Sequence, residues 1–105
     1  MLGWTTVAKK EDAERIASQL VAAGAAACVQ VEGPITSTYR WEGAVETTSE
    51  YRLLIKFLPE ELSRVTGWLA ANHPYDTPEW VVTRAEFVSE KYLSWARANS
   101  SSAPL

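Results

Sequence analysis

The chain has 105 residues, 47% of them hydrophobic and 22% charged, with a formal net charge of −3. That length supplies one domain core and not two, and the balance is that of a folded chain rather than a disordered one. The negative charge and the lack of any Lys/Arg cluster exclude the basic face that a nucleic-acid binder needs. Cys28 is the single cysteine, so no intrachain disulfide can form. Residues 1–6 carry neither a basic start nor a signal-type apolar run. The apolar-looking run 21–29 is far short of the roughly 20 residues that a membrane span needs. A cytoplasmic protein with a reduced thiol and no membrane partner is therefore expected.

Residues 2–7 are rich in Trp, Thr and Val and predict a first strand. Over residues 9–23, Ala13, Ile16, Ala17 and Leu20 recur at i, i+3, i+4 and i+7, which is one stripe of a helix. Glu11, Asp12 and Glu14 lie in its first turns, where the helix dipole favours anions, and Gly24 is a natural stop. Residues 26–32 then alternate: Ala27, Val29 and Val31 face one way, and Cys28, Gln30 and Glu32 the other. Gly33-Pro34 interrupts the alternation and predicts a bend or bulge. Beyond it Ile35, Ser37, Tyr39 and Trp41 share one side, and Glu42-Gly43 reads as the turn of a long hairpin. The return strand is expected over residues 49–58. Tyr51, Leu53, Ile55 and Phe57 lie on one face of it, with Arg52, Leu54 and Lys56 on the other.

Pro59-Glu60-Glu61 opens a second helix, with Leu62, Val65 and Leu69 as its apolar stripe. Asn72-His73-Pro74 ends it, because the residue before a proline is pushed out of the helical region. A turn-rich loop, Tyr75-Asp76-Thr77-Pro78, leads to a fourth strand over residues 80–88. Ser89 is placed to cap a short last helix containing Tyr92, Leu93, Trp95 and Ala96. The Ser-rich residues 99–105 predict a disordered tail.

The order βαββαβ plus a terminal helix predicts an α+β, ferredoxin-like sandwich, a single domain over residues 1–98. Helices cover only one face of such a sheet. The other face also carries aromatic and aliphatic side chains, and the sheet has open edges, so self-association is expected.

No phosphate loop, CxxC pair, HExxH or GxSxG motif is present. Cys28 and His73 are the two soft donors, of types that suit copper or zinc, and Glu79 is a carboxylate that could join them. Against this stand plainer roles: Cys28 as a small apolar strand residue, His73 as a helix-ending hydrogen-bonding residue, and Glu79 as a loop anchor. One Cys and one His cannot complete a tetrahedral site, although a trimer would triple them. A Cys28–His73 catalytic pair is disfavoured, because Ala and Val neighbours raise a thiol's pKa. Tyr39, Trp41 and Tyr75, with Glu50 and Lys56, are candidates to line a ligand cleft between subunits. Aromatic packing at a subunit contact is the competing role.

Several segments together resemble the CutA family of divalent-cation tolerance proteins. They are Ala26-Ala27-Cys28-Val29, Ser37-x-Tyr39-Arg40-Trp41-Glu42-Gly43, Ile55-Lys56, His73-Pro74-Tyr75-x-Thr77-Pro78-Glu79 and Tyr92-Leu93-x-Trp95. The resemblance spans about residues 5–98. It implies a ferredoxin-like fold, a homotrimer, copper or other divalent-metal binding in some members, and a proposed part in cation tolerance rather than catalysis. It also implies structural kinship with the trimeric PII signalling proteins, which bind effectors between subunits. Some relatives carry a cysteine and a second histidine where Thr5 and Asn72 stand here.

Overall fold

The computed structural model describes residues 1–100. The elements run β1 (Leu2–Val7), α1 (Lys10–Ala22), β2 (Cys28–Trp41), β3 (Ala44–Lys56), α2 (Leu62–Asn72), β4 (Val81–Thr83) and α3 (Glu90–Ala98), with a 3-10 turn over Pro59–Glu61 leading into α2. The four strands form one sheet in the order β2-β3-β1-β4, and every neighbouring pair is antiparallel. This is the expected ferredoxin-like arrangement.

Burial follows the predicted alternation. On β1 and β3, Thr5 lies opposite Leu53 and Gly3 opposite Ile55. Thr5, Val7, Leu53 and Ile55 are fully buried under the helices. The helices close this face with the predicted stripes, Ala13, Ile16 and Leu20 from α1 and Val65 and Leu69 from α2, all in one core cluster. Trp80 seals the far end of the layer. Its ring stacks on Phe57 with centroids 6.0 Å apart, and its indole N–H donates to the Thr66 hydroxyl at 2.9 Å. The core residues of α1 and α2 lie on this face, and on the opposite face Tyr92 of α3 reaches Lys56.

The hairpin is longer than the predicted return strand, since β3 begins at Ala44. Its register shifts between Glu32 and Ile35. Below the shift, Cys28, Gln30 and Glu32 pair with Lys56, Leu54 and Arg52. Above it, Ile35, Ser37 and Tyr39 pair with Glu50, Thr48 and Glu46. The two residues of the bulge thus exchange the parity of β2. The even-numbered residues face away from the helices before it, and the odd-numbered ones after it. Tyr39 and Trp41 thereby join Glu50 on the open face. Gly33 makes this possible. Its φ is +152°, and a Cβ there would meet Tyr51 Cδ2 at 2.6 Å and the Glu50 carbonyl at 3.1 Å.

Two expectations need correction. The fourth strand is three residues, not nine. Thr83 already lies opposite Leu2, where β1 begins, so β4 has no further strand to pair with. Ser89 stands at the start of α3, but its hydroxyl makes no capping bond. Its carbonyl accepts the Leu93 N–H at 2.9 Å. Of the expected tail, residues 101–105 lie outside the described residues. Asn99 and Ser100 bond back onto α3 through the carbonyls of Trp95 and Ala96.

Candidate functional site

The loop after α2 is anchored by its histidine. Pro74 ends the helix and leaves His73 with extended backbone dihedrals (φ −72°, ψ 138°). The imidazole Nδ1 accepts the Tyr75 N–H at 3.0 Å. Nδ1 is thereby an acceptor, so the proton of the neutral ring sits on Nε2, which donates to the buried Thr5 hydroxyl at 3.0 Å. Burial is the main influence on this ring and holds it below its ordinary range near 6.5. A hydrogen bond to the Thr6 backbone acts the other way, Arg15 adds to the lowering, and Asp12 and Glu50 oppose it. A ring nitrogen of His73 could bind a metal only by giving up one of these two bonds.

Two residues on, Tyr75 reaches the open face of the sheet. Its hydroxyl donates to Glu50 Oε2 at 2.8 Å. Glu50 is only 8% exposed. Burial, the bond to Glu50 and the carboxylate charge together raise the Tyr75 hydroxyl far above its ordinary pKa, so it stays protonated as a donor. The loop therefore wraps from one face of the sheet to the other. It passes the part of β1 beyond Trp4, which β4 does not cover.

Between this loop and the hairpin lies a cleft of about 680 Å³. The predicted Tyr39, Trp41, Glu50, Tyr75 and Glu79 all line it, with Thr6, Ser37, Thr38, Pro74, Asp76 and Thr77. Sequence reasoning missed Thr5, Thr6 and Asp76. Thr5 had a readable signal, because a hydroxyl on the buried side of a strand requires a partner. Nothing local marked Thr6 or Asp76.

Two predicted residues lie elsewhere. Lys56 is six positions along β3 from Glu50, roughly 20 Å at strand rise. Its ammonium sits 5.7 Å from the centroid of the Tyr92 ring, and it lines a second cavity with Arg84 and Arg97. Cys28 is a half-buried free thiol opposite Lys56, on the open face and away from the Thr5–His73 contact. Among the described residues, no three His, Cys, Asp or Glu side chains stand close enough together to hold a metal ion. His73, Cys28 and Glu79 are thus not brought together within one chain.

The fold recurs in known proteins. The rice chloroplastic protein CutA 1 is 37% identical over 94 residues, which are 90% of this chain and 53% of that protein. The chain thus spans about half the length of that plant relative. The divalent-cation tolerance protein CutA of Thermus thermophilus is 37% identical over 95 residues, covering 90% of this chain and 92% of the relative. The crystal structure of CutA1 from rice superposes with a TM-score of 0.92 at 34% identity, over 97% of this chain and 94% of that one. The family model described as CutA1 divalent ion tolerance protein matches residues 1–99. With nearly the whole domain matched in sequence and in fold, the chain belongs to the CutA1 divalent ion tolerance protein family.

Proposed function

We propose that the chain acts as a homotrimeric, non-catalytic protein of divalent-cation tolerance, working in the cytoplasm. Its family membership over residues 1–99 carries this reading. The open sheet face supports the assembly. Trp41 and Val81 on it are 51% and 54% exposed, and β2 is a 14-residue edge strand. Exposed apolar area beside an unpaired edge is what a second copy covers. Copper or another divalent cation would bind through His73, with Cys28 and Glu79 of neighbouring copies as further donors. Light scattering should give three times the 11.6 kDa of the chain, and a monomer mass would overturn the trimer. In calorimetric copper titrations, wild type should bind more tightly than His73→Ala. Equal binding by both would remove His73 from the site. Cell fractionation tests the location, since the rice relative is named chloroplastic.

A second reading is favoured by the cleft itself. Four of the five residues proposed for an effector site line one cavity. In this reading the protein is a PII-like trimeric sensor or scaffold that takes a small effector or a protein partner in the cleft between subunits. A bound effector raises the melting temperature by mass action, so a thermal-shift screen tests it.

A further inference from the structure

We propose that His73 is set to offer Nδ1, and not Nε2, to a divalent cation, with Thr5 fixing the ring and the Tyr75 N–H as the latch that opens. The proposal rests on the reading of His73 as a cation ligand and supplies its regulation. Every bond it invokes lies within one chain.

The hydrogen bonds fix the tautomer of the ring. A backbone N–H can only donate, so Nδ1, 3.0 Å from the Tyr75 nitrogen, presents a lone pair. The proton of the neutral imidazole is then on Nε2, which donates to the Thr5 hydroxyl at 3.0 Å. Histidine binds a metal through its unprotonated nitrogen, and the hydrogen bond at the other nitrogen decides which one that is. Thr5 supplies this bond. It is fully buried and paired with Leu53 of β3, so it stays in place when the loop moves. Nε2 is tied to the core, and Nδ1 is turned to the loop.

Nδ1 is already occupied by Tyr75, so a cation and the Tyr75 N–H exclude each other there. Tyr75 is also held by its hydroxyl, which donates to Glu50 Oε2 at 2.8 Å on the other face of the sheet. Only Pro74 separates His73 from Tyr75, and its fixed φ leaves little slack between the ring and the amide. Moving the amide off Nδ1 therefore pulls on the Tyr75–Glu50 bond. By linkage, whatever loosens the hold of Glu50 on Tyr75 favours cation binding, and a bound cation loosens that hold by the same factor. Tyr75 and Glu50 both line the cleft. The state of the ring thus reaches the face that the trimer reading gives to a second copy.

His73 is the one histidine of the chain, so its ring nitrogens give a single set of signals. Nitrogen-15 NMR of the ring, with zinc ion as a diamagnetic probe, reads the tautomer and the liganded nitrogen. Calorimetric titration with zinc and cupric ions reads affinity in wild type, Thr5→Val and Tyr75→Phe. Circular dichroism checks that the variants fold, and the wild-type ring spectra test the proposal without them. We expect a proton on Nε2 and none on Nδ1 before metal is added. Zinc should shift Nδ1 and the Tyr75 amide while Nε2 keeps its proton. Tyr75→Phe should bind either ion about two- to tenfold more tightly, the scale of one hydrogen bond. Thr5→Val should bind about tenfold more weakly. Ring binding seen only in Tyr75→Phe would show a latch closed in wild type and support the proposal. Zinc bound at Nε2 would overturn it while leaving His73 as a ligand. Zinc bound at Nδ1 with the same affinity in Tyr75→Phe would overturn the latch. No effect of either ion on the ring in any of the three proteins would remove His73 as a ligand and this proposal with it.

Discussion

Gly33 is the residue on which the geometry of the cleft depends, and Gly33→Ala perturbs it directly. Two costs add. A side chain at φ +152° occupies a region open essentially to glycine alone, a penalty of about 1–2 kcal/mol. The new methyl would also lie 2.6 Å from Tyr51 Cδ2 and 3.1 Å from the Glu50 carbonyl. Relieving that overlap costs a further 1–3 kcal/mol or so, the usual scale of overpacking. A total near 3 kcal/mol lowers Tm by about 12–24 °C for a domain of this size. Gly43→Ala is the matched control. Its φ is +81°, but a Cβ there meets nothing within 4 Å, so only the backbone cost of about 1–2 kcal/mol applies. Thermal unfolding followed by circular dichroism, at one protein concentration, compares the two. If Gly33→Ala melts within a few degrees of Gly43→Ala, the contact with Tyr51 is not a constraint and the account of the bulge fails.

Other predictions address the core and the loop. Leu53→Ala, at a fully buried position, should cost about 2–5 kcal/mol in urea unfolding. Thr5→Val removes the acceptor of the His73 Nε2–H. It should cost about 1 kcal/mol, the low end for a lost partner because the ring is half-exposed and water can replace the hydroxyl. Tyr75→Phe leaves Glu50 without its donor and should cost about 1–3 kcal/mol. The pH dependence has a definite sign. His73 titrates lower in the folded chain than in the unfolded one, so the unfolded chain takes up its proton first as pH falls below about 6.5. Stability therefore declines from there down to the folded pKa, and His73 adds no slope above or below that window. Urea midpoints of wild type and His73→Gln across pH 5–8 should diverge only on the acid side.

The order of elements, the helix stripes, the long hairpin and the inward face of β3 were all legible in the sequence. Each follows from local periodicity, 3.6 for a helix and 2 for a strand, and needs no knowledge of the neighbours. Even the interruption at Gly33-Pro34 was visible. What it does was not, because a bulge acts through register, and register belongs to two strands at once. Only the pairing of β2 with β3 shows that two residues exchange the parity of the hairpin and bring Tyr39 and Trp41 to the face of Glu50. The length of β4 was hidden for the same reason, since it ends where β1 offers no more partners. Lys56 and Glu50 share a face by sequence, yet strand rise holds them some 20 Å apart, and the pairing partners of each decide which cavity it lines. His73 was found as the end of a helix. Its role in turning the loop, with one nitrogen on Tyr75 and the other on Thr5, required contacts across 68 residues of chain, and periodicity does not reach that far.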